Sequence, residues 1–320
     1  MRGLTILATG GALPSRTVPN TYFEKIVDTS GEWIRTRTGI ESRYFCGEGQ
    51  DADTLAIDAS RIALEKSKLG PEMIDCIVVA TISGLYATPS VACMVQHALG
   101  LRENIPVLDV NAACSGFVYA LETARGLLEC TGGSYALVIG TEQLSKMLNM
   151  EDRTTCVLFG DGAGAAIVKA EEGVFYAADL GARGGLAITT GGPGPDKSLI
   201  AMNGKEVFRF AVEALPTCIG QLLEKTGQPL SSYKYVICHQ ANERIIEFVV
   251  KKLHAAPEQF YMDMKTHGNT SGASIPIALN ELEADGCLAP GDRIILAGFG
   301  SGLTWAGAAL TYGLTGTPQE

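Results

Sequence analysis

Apolar positions along the chain fall into two alternating patterns. Short β-branched runs at 76–81, 107–110, 135–140, 235–238 and 293–297 lack polar alternation and predict strands buried on both faces. Between them, 54–67, 90–99, 117–129, 206–225 and 243–253 repeat apolar residues every three or four positions, as in Phe208, Val212, Leu215, Ile219 and Leu222. Gly70-Pro71, Gly100 and Gly227 mark the ends of three of these helices. Alternating strands and helices predict a layered α/β fold. One segment also echoes another. Phe159-Gly160-Asp161-Gly162 and Phe299-Gly300-Ser301-Gly302 both lead from a glycine turn into a small-residue strand. Two similar halves, 1–170 and 171–320, are expected from this echo, although chance likeness between glycine turns stays open on two copies.

Composition narrows the class. With 320 residues, 46% hydrophobic and 19% charged, the chain buries roughly three quarters of its unfolded surface, which excludes intrinsic disorder. The 38 glycines and 7% aromatics imply close backbone packing in one body. Apolar runs long enough to span a bilayer are absent, and Arg2 is followed by a strand-like stretch without a small-residue cleavage site, so a soluble cytoplasmic protein is expected. Nine cysteines without a CxxC pair, beside only four histidines, argue against a disulfide framework and a zinc site. A net charge of −10 disfavours nucleic acid, and an acidic partner would need a local basic patch.

Cys114 stands apart from the other cysteines. It lies in Asn111-Ala112-Ala113-Cys114-Ser115-Gly116, where a strand ends and a helix begins. Small neighbours permit a sharp turn, and helix-start N–H groups are expected to lower the thiol pKa. On this segment alone, structural and catalytic roles stay equally open. His239 follows the buried run 235–238, where sites in α/β sheets form. Asn269 sits in a small polar loop before a helix with Pro276 in its first turn, and a plain turn or cap role is the alternative there. His97 and His254 read as ordinary helix residues, and His267 as support for the Asn269 loop. A Cys, His, Asn order also serves thiol proteases, but the residues around Cys114 lack their signature, leaving a thiol hydrolase as a weak second reading.

At this point the chain resembles the β-ketoacyl-acyl carrier protein synthase III family of the thiolase superfamily. The likeness runs nearly end to end, through 27–34, Thr38-Gly39-Ile40, the cysteine turn, 159–166, 202–208, His239-Gln240-Ala241-Asn242, Gly268-Asn269-Thr270-Ser271 and 299–305. It implies a thiolase-like fold, two duplicated halves forming a five-layered αβαβα structure. It also implies a decarboxylating Claisen condensation of an acyl-CoA primer with malonyl-acyl carrier protein, which initiates type II fatty acid synthesis through an acyl-cysteine. A homodimer without a permanently bound cofactor is implied too. A relative serving polyketide or other secondary metabolism is the alternative within the family.

The resemblance makes Cys114 the nucleophile and His239 and Asn269 its partners, with the backbone N–H groups of Cys114 and Ser301 as oxyanion hole. Ser301 replaces the family's usual glycine. Trp33 and Arg153 would clamp the adenine of CoA, with Thr29 nearby, Arg37 at the phosphates, and Gly204 and Asn242 along the pantetheine. Lys205, Arg209, Arg244, Lys251 and Lys252 would dock the carrier protein. Glu243 departs from the apolar residue usual beside that arginine. Leu85, Tyr86 and Thr88 would line the acyl pocket across the dimer interface. Thr88 stands where some members carry a bulky aromatic, so primers longer than acetyl are expected. A dinucleotide loop at 160–164 is disfavoured because the chain continues as strand.

Overall fold

The computed structural model describes residues 2–191 and 199–313. Its framework strands are β1 (Gly3–Ala12), β2 (Cys76–Ala80), β3 (Val107–Val110), β4 (Tyr135–Glu142), β5 (Gly162–Glu171), β6 (Tyr176–Ala182), β7 (Tyr235–Cys238), β8 (Arg293–Gly300) and β9 (Thr304–Tyr312). The packing helices are α1 (Ala52–Ser67), α2 (Val91–Leu99), α3 (Gly116–Thr131), α4 (Gly204–Thr226), α5 (Glu243–Lys252) and α6 (Ser274–Ala284). Among the described residues the strands run β7-β8-β9-β1-β5-β4-β2-β3, with β6 on β9. β1 and β9 touch in parallel only at Thr5–Thr311 and Ile6–Tyr312, so this ladder is in effect two sheets joined at one seam.

The order repeats across that seam. β3-β2-β4-β5-β1 in one sheet corresponds to β7-β8-β9-β6 in the other, and Phe260 bridges to Val236 where a counterpart of β3 would lie. One apolar core packs α1 and α2 on the outside of the first sheet. A second packs α4 and α5 on the outside of the other. A third holds α3 and α6 between the sheets, giving the five layers of the thiolase fold.

Helix starts follow the capping residues. Asp51 forms a capping box with Thr54, Ser90 accepts from Cys93 N–H, and Asn203 and Asn242 cap α4 and α5. One strand departs from expectation. β3 is half-buried along its length, because among the described residues it pairs only with β2 and leaves its other edge unpaired.

Candidate active site

The two central helices each begin at a tight 3-10 turn, and these turns carry the chemistry. Cys114 occupies the turn Ala113–Ser115 ahead of α3. Ala113 there has a φ of 47°, a left-handed conformation uncommon for a residue with a Cβ. Three contacts hold the turn against the opposite sheet. Thr304 Oγ1 and Ser115 Oγ lie 2.8 Å apart, Thr304 Oγ1 donates to Ala112 O at 3.3 Å, and a Cβ on Gly300 would stand 2.6 Å from Cys114 N. Only glycine lets β8 come this close, and its missing side chain keeps room beside that N–H.

Burial pushes the Cys114 thiol up to about 12; the Ser271 hydroxyl and the cysteine's own N–H pull the other way, and Glu142 adds to the rise. The helix-start lowering expected from sequence is therefore outweighed by desolvation.

His239 follows β7, fixed by its N–H to Ala297 O at 2.8 Å and by the edge of Phe299, 5.3 Å between centroids. Burial lowers its imidazole to about 3, so the ring is neutral. Nδ1 lies 2.7 Å from Ser274 Oγ, and that oxygen also receives Gln240 N–H at 3.4 Å. When the hydroxyl gives its hydrogen to Nδ1, the imidazole proton sits on Nε2.

Asn269 is tied to the first half through its backbone. Its N–H donates to Leu158 O at 2.9 Å and its carbonyl accepts Gly160 N–H at 3.0 Å. Asn269 Oδ1 accepts Ser271 N–H at 2.8 Å, which fixes the amide orientation and leaves the Nδ2 hydrogens for the cavity. Cys114, His239 and Asn269 line one cavity of about 670 Å³ together with Phe299 and Ser301. The site thus holds a thiol and two neutral donors, the groups needed to accept an acyl unit and receive an enolate oxygen.

The remaining predicted residues fall in three places. Gly204 and Asn242 line the cavity. Thr29, Trp33, Arg37 and Arg153 lie outside it, yet Asn242 Nδ2 donates to Arg37 O at 3.0 Å, which joins the cavity wall to the helix Gly31–Thr38. Both guanidinium groups cover the Trp33 ring, Arg37 at 4.5 Å and Arg153 at 5.1 Å from its centroid. Arg153 also donates to Asp28 O at 2.6 Å, and Thr29 Oγ1 is a buried hydroxyl without a partner. Ser301 turns its hydroxyl onto Ile188 O at 2.7 Å, away from the space beside Cys114 N.

Lys205, Arg209, Arg244, Lys251 and Lys252 are all exposed. The first three flank the cavity-lining Val207, Phe208 and Ile245, whereas Lys251 and Lys252 lie about 10 Å further along α5. Leu85, Tyr86 and Thr88 are exposed and do not line the cavity of the single chain; Ile82, just before them, does. Ser271, Ser274 and Glu142 were not singled out from sequence. Glu142 had one visible sign, a lone acid closing an otherwise apolar strand.

Residues 108–184 match the family 3-oxoacyl-[acyl-carrier-protein (ACP)] synthase III, and residues 223–312 match its C-terminal counterpart. A β-ketoacyl-[acyl-carrier-protein] synthase III of Clostridium botulinum is 43% identical over 98% of this chain and 100% of its own. The crystal structure of the 3-oxoacyl-[acyl-carrier-protein] synthase III of Aquifex aeolicus superposes with a TM-score of 0.91 at 40% identity, covering 97% of this chain and 100% of that one. The priming β-ketosynthase of the R1128 polyketide pathway superposes with a TM-score of 0.92 at 34% identity, covering 98% and 97%. With the fold, the cysteine turn and the two facing donors in place, the chain belongs to the β-ketoacyl-acyl carrier protein synthase III family of condensing enzymes.

Proposed function

We propose that Cys114, His239 and Asn269 carry out the family's condensation, the first step of type II fatty acid synthesis, in two half-reactions. Cys114 Sγ attacks the thioester carbon of an acyl-CoA primer, the carbon–sulfur bond to CoA breaks, and an acyl-enzyme remains. Malonyl-acyl carrier protein then loses carbon dioxide, and the electron pair of the broken bond becomes an enolate. His239 Nε2–H and Asn269 Nδ2–H receive the enolate oxygen. The enolate carbon attacks the acyl carbonyl, expels the Cys114 thiolate and forms the β-ketoacyl product. Backbone N–H groups of Cys114 and Ser301 serve the oxyanions of both tetrahedral steps. The supporting observation is that three side chains from distant segments meet in one cavity, with Asn269 Oδ1 engaged in its own turn and His239 Nδ1 held by Ser274 Oγ.

Trp33, Arg37 and Arg153, with Thr29, form the CoA clamp outside the cavity, and the pantetheine passes Gly204 and Asn242. Lys205, Arg209 and Arg244 receive the acidic carrier, with Lys251 and Lys252 extending the patch. The half-buried free edge of β3 supports a homodimer, which would bring Leu85, Tyr86 and Thr88 of each chain toward its partner. The chain divides into halves 1–170 and 171–320, one carrying the cysteine and the other the histidine and asparagine. Its free thiols among the described residues support a cytoplasmic setting, and the chemistry needs no permanently bound cofactor. Among the described residues no helix is long and apolar enough to cross a membrane.

Likeness to the R1128 enzyme supports a second reading, priming of a polyketide chain, which uses the same chemistry. A primer series of straight and branched acyl-CoAs, assayed with malonyl-acyl carrier protein and read by intact mass, tests both. The expected result is an acyl adduct on the native enzyme and none on Cys114→Ala, with condensation lower by about 1,000-fold or more. An adduct that survives Cys114→Ala, or free acid released without malonyl substrate, would overturn the assignment.

A further inference from the structure

Arg43 is a buried cation whose hydrogen-bond partners carry no counter-charge. It lies in the ribbon where Arg16–Pro19 pairs with Ser42–Phe45, and it is 0% exposed. Its Nη1 donates to Val18 O at 3.2 Å and to Asn20 Oδ1 at 2.8 Å, and its Nη2 donates to Val157 O at 2.5 Å. All three acceptors are neutral, and Nε has no partner. The guanidinium covers the Phe23 ring at 4.6 Å from its centroid. Taking a cation out of water without an anion beside it is costly, and an apolar side chain of similar volume would often be as stable or more so. The charge therefore calls for a reason other than stability.

Its surroundings supply one, because the Arg43 stem is wedged between the two segments that hold Asn269. A Cβ on Gly160 would stand 3.0 Å from Arg43 Cβ, and one on Gly268 would stand 3.1 Å from it. Leu158 O and Gly160 N–H are the backbone partners of Asn269, and Phe159 between them bridges to Asn269 and lines the cavity. Residues on either side of Arg43 grip the same two segments. Glu41 N–H donates to Lys265 O at 2.8 Å and Ser42 Oγ to Thr266 O at 3.3 Å, while Tyr44 O accepts Asp161 N–H at 2.9 Å. The guanidinium adds the tie to Val157 O, one residue before the stretch that brackets Asn269.

We propose that Arg43 is a positioning residue for condensation: its fork fixes the 157–160 segment and thereby sets the Asn269 amide where the enolate oxygen forms. This rests on Asn269 receiving that oxygen. A planar guanidinium donates in fixed directions, so it defines the spacing between the ribbon and Val157 in a way that a flexible ammonium does not. Burial lowers Arg43 to about 10, which keeps it cationic at neutral pH, and bonds from a charged donor are roughly twice as strong as neutral ones. Misplacing a group that binds a transition state by about 1 Å costs up to about 100-fold in rate.

Two variants separate positioning from plain support. Arg43→Met keeps an apolar stem and removes the fork, whereas Arg43→Lys keeps the charge and loses the planar geometry. Enzyme acylated beforehand on Cys114 is expected to condense with malonyl-acyl carrier protein about 30-fold more slowly in Arg43→Met and about 10-fold more slowly in Arg43→Lys. The loss should fall on kcat, with KM for the carrier within about twofold of native, and single-turnover acylation by an acyl-CoA should stay within about threefold. In an Asn269→Asp background the donor is already gone, so adding Arg43→Met should cost less than about twofold more, because both act through one amide. A role in stability alone would lower Tm and reduce both half-reactions together. Where Arg43→Met does not fold, Arg43→Lys carries the same comparison. Native condensation in both variants, equal loss of both half-reactions, or the full Arg43 loss reappearing in the Asn269→Asp background would overturn the proposal. Native condensation in Asn269→Asp alone would instead overturn the role of Asn269 on which it rests.

Discussion

The cysteine turn and the asparagine turn are one backbone device used twice. Asn111-Ala112-Ala113-Cys114-Ser115-Gly116 aligns with Asn269-Thr270-Ser271-Gly272-Ala273-Ser274, and each stretch leads into a central helix. The third residue of each is left-handed, Ala113 at φ 47° and Ser271 at φ 49°. In both, the leading asparagine's Oδ1 accepts the N–H of that residue, at 3.4 Å from Ala113 and 2.8 Å from Ser271. Each turn is also braced by the other half. A Cβ on Gly140 of β4 would stand 2.2 Å from Gly272 O, and one on Gly298 of β8 would stand 3.2 Å from Ser115 Cα.

The difference lies two residues further along those strands. β8 offers Gly300 to the cysteine turn and leaves room beside Cys114 N, whereas β4 offers Glu142 to the asparagine turn and fills the corresponding space with a carboxyl. A symmetric scaffold thus becomes an asymmetric site by exchanging open space for an acid at one position. The same exchange puts a sulfur at 114 where its counterpart, Gly272, has no side chain.

The strongest test of the comparison exchanges amide for carboxylate at both leading positions. Asn269→Asp can still accept Ser271 N–H, so the turn survives while the donor toward the enolate is lost and replaced by a like charge. Condensation is expected to fall about 100- to 1,000-fold, with single-turnover acylation of Cys114 within about threefold of native. Asn111→Asp alters the exposed counterpart, which lines the same cavity and whose Oδ1 braces its turn, and should change both rates less than about threefold. Similar losses in the two variants would break the claim that one asparagine has been recruited to chemistry.

A smaller effect sharpens the bracing. Gly140→Ala forces a methyl into Gly272 O and is expected to cost about 3 kcal/mol, lowering Tm by about 6 °C. Gly298→Ala meets its neighbour at 3.2 Å and should cost less than about 1 kcal/mol. Thermal melts of the two variants in parallel check the ranking, and an equal cost would mean the two turns are packed alike.

Much of this was legible in the chain. The runs 76–81 and 135–140 are apolar because they lie under helices on both faces, so periodicity alone marks them. Gly160 lies against the asparagine loop and Gly300 against the cysteine turn, but Gly300 ends β8 as Glu142 ends β4, while Gly160 lies on the approach to β5, so the echo of Phe159-Gly160 in Phe299-Gly300 is a likeness of glycine turns and not one equivalent position. The thiol's ionisation was not legible. Helix-start position is visible in sequence, but the desolvation that outweighs it depends on how deeply β8 presses against the turn, a property of tertiary packing. Ser271 and Glu142 were missed for a related reason. A serine in a small polar loop and an acid at a strand end are ordinary locally, and only the fold brings the acid against the serine's turn. The exposed 85–88 loop and the half-exposed β3 depend on what covers that face, which a single chain does not encode in periodicity.

The residues just before the two turns give the mildest test. Asp109 precedes the cysteine turn and accepts the Val91 and Ala92 N–H groups at the start of α2, at 2.8 and 2.9 Å. Its counterpart His267 instead sits in a buried cluster, with Nε2 3.0 Å from Glu281, Nδ1 3.0 Å from Asp263 O, and the Tyr44 ring beside it. Thr266 Oγ1 also touches Nδ1, and Tyr261 donates to Glu281. Burial alone would lower the imidazole, but the bond to Glu281 and the charges of Asp263 and Glu281 outweigh it and raise His267 to about 9. A histidine held above its unfolded value near 6.5 contributes stability that is complete below that value and lost as pH rises through about 9. Asp263, raised to about 7 by burial with both oxygens unpartnered, favours the folded state at low pH and loses that contribution as pH rises through 7. Both slopes run the same way, so the native protein should lose about 2–5 °C of Tm between pH 6 and pH 10 from this cluster. His267→Gln should melt lower than native at pH 6 and lose less on going to pH 10. Asp109→Asn, which keeps an acceptor for the α2 N–H groups, should leave the native slope between pH 6 and pH 10 in place. Parallel slopes for native and His267→Gln would show that the asparagine turn rests on no ionised support, and the contrast with the cysteine turn would then end at Glu142.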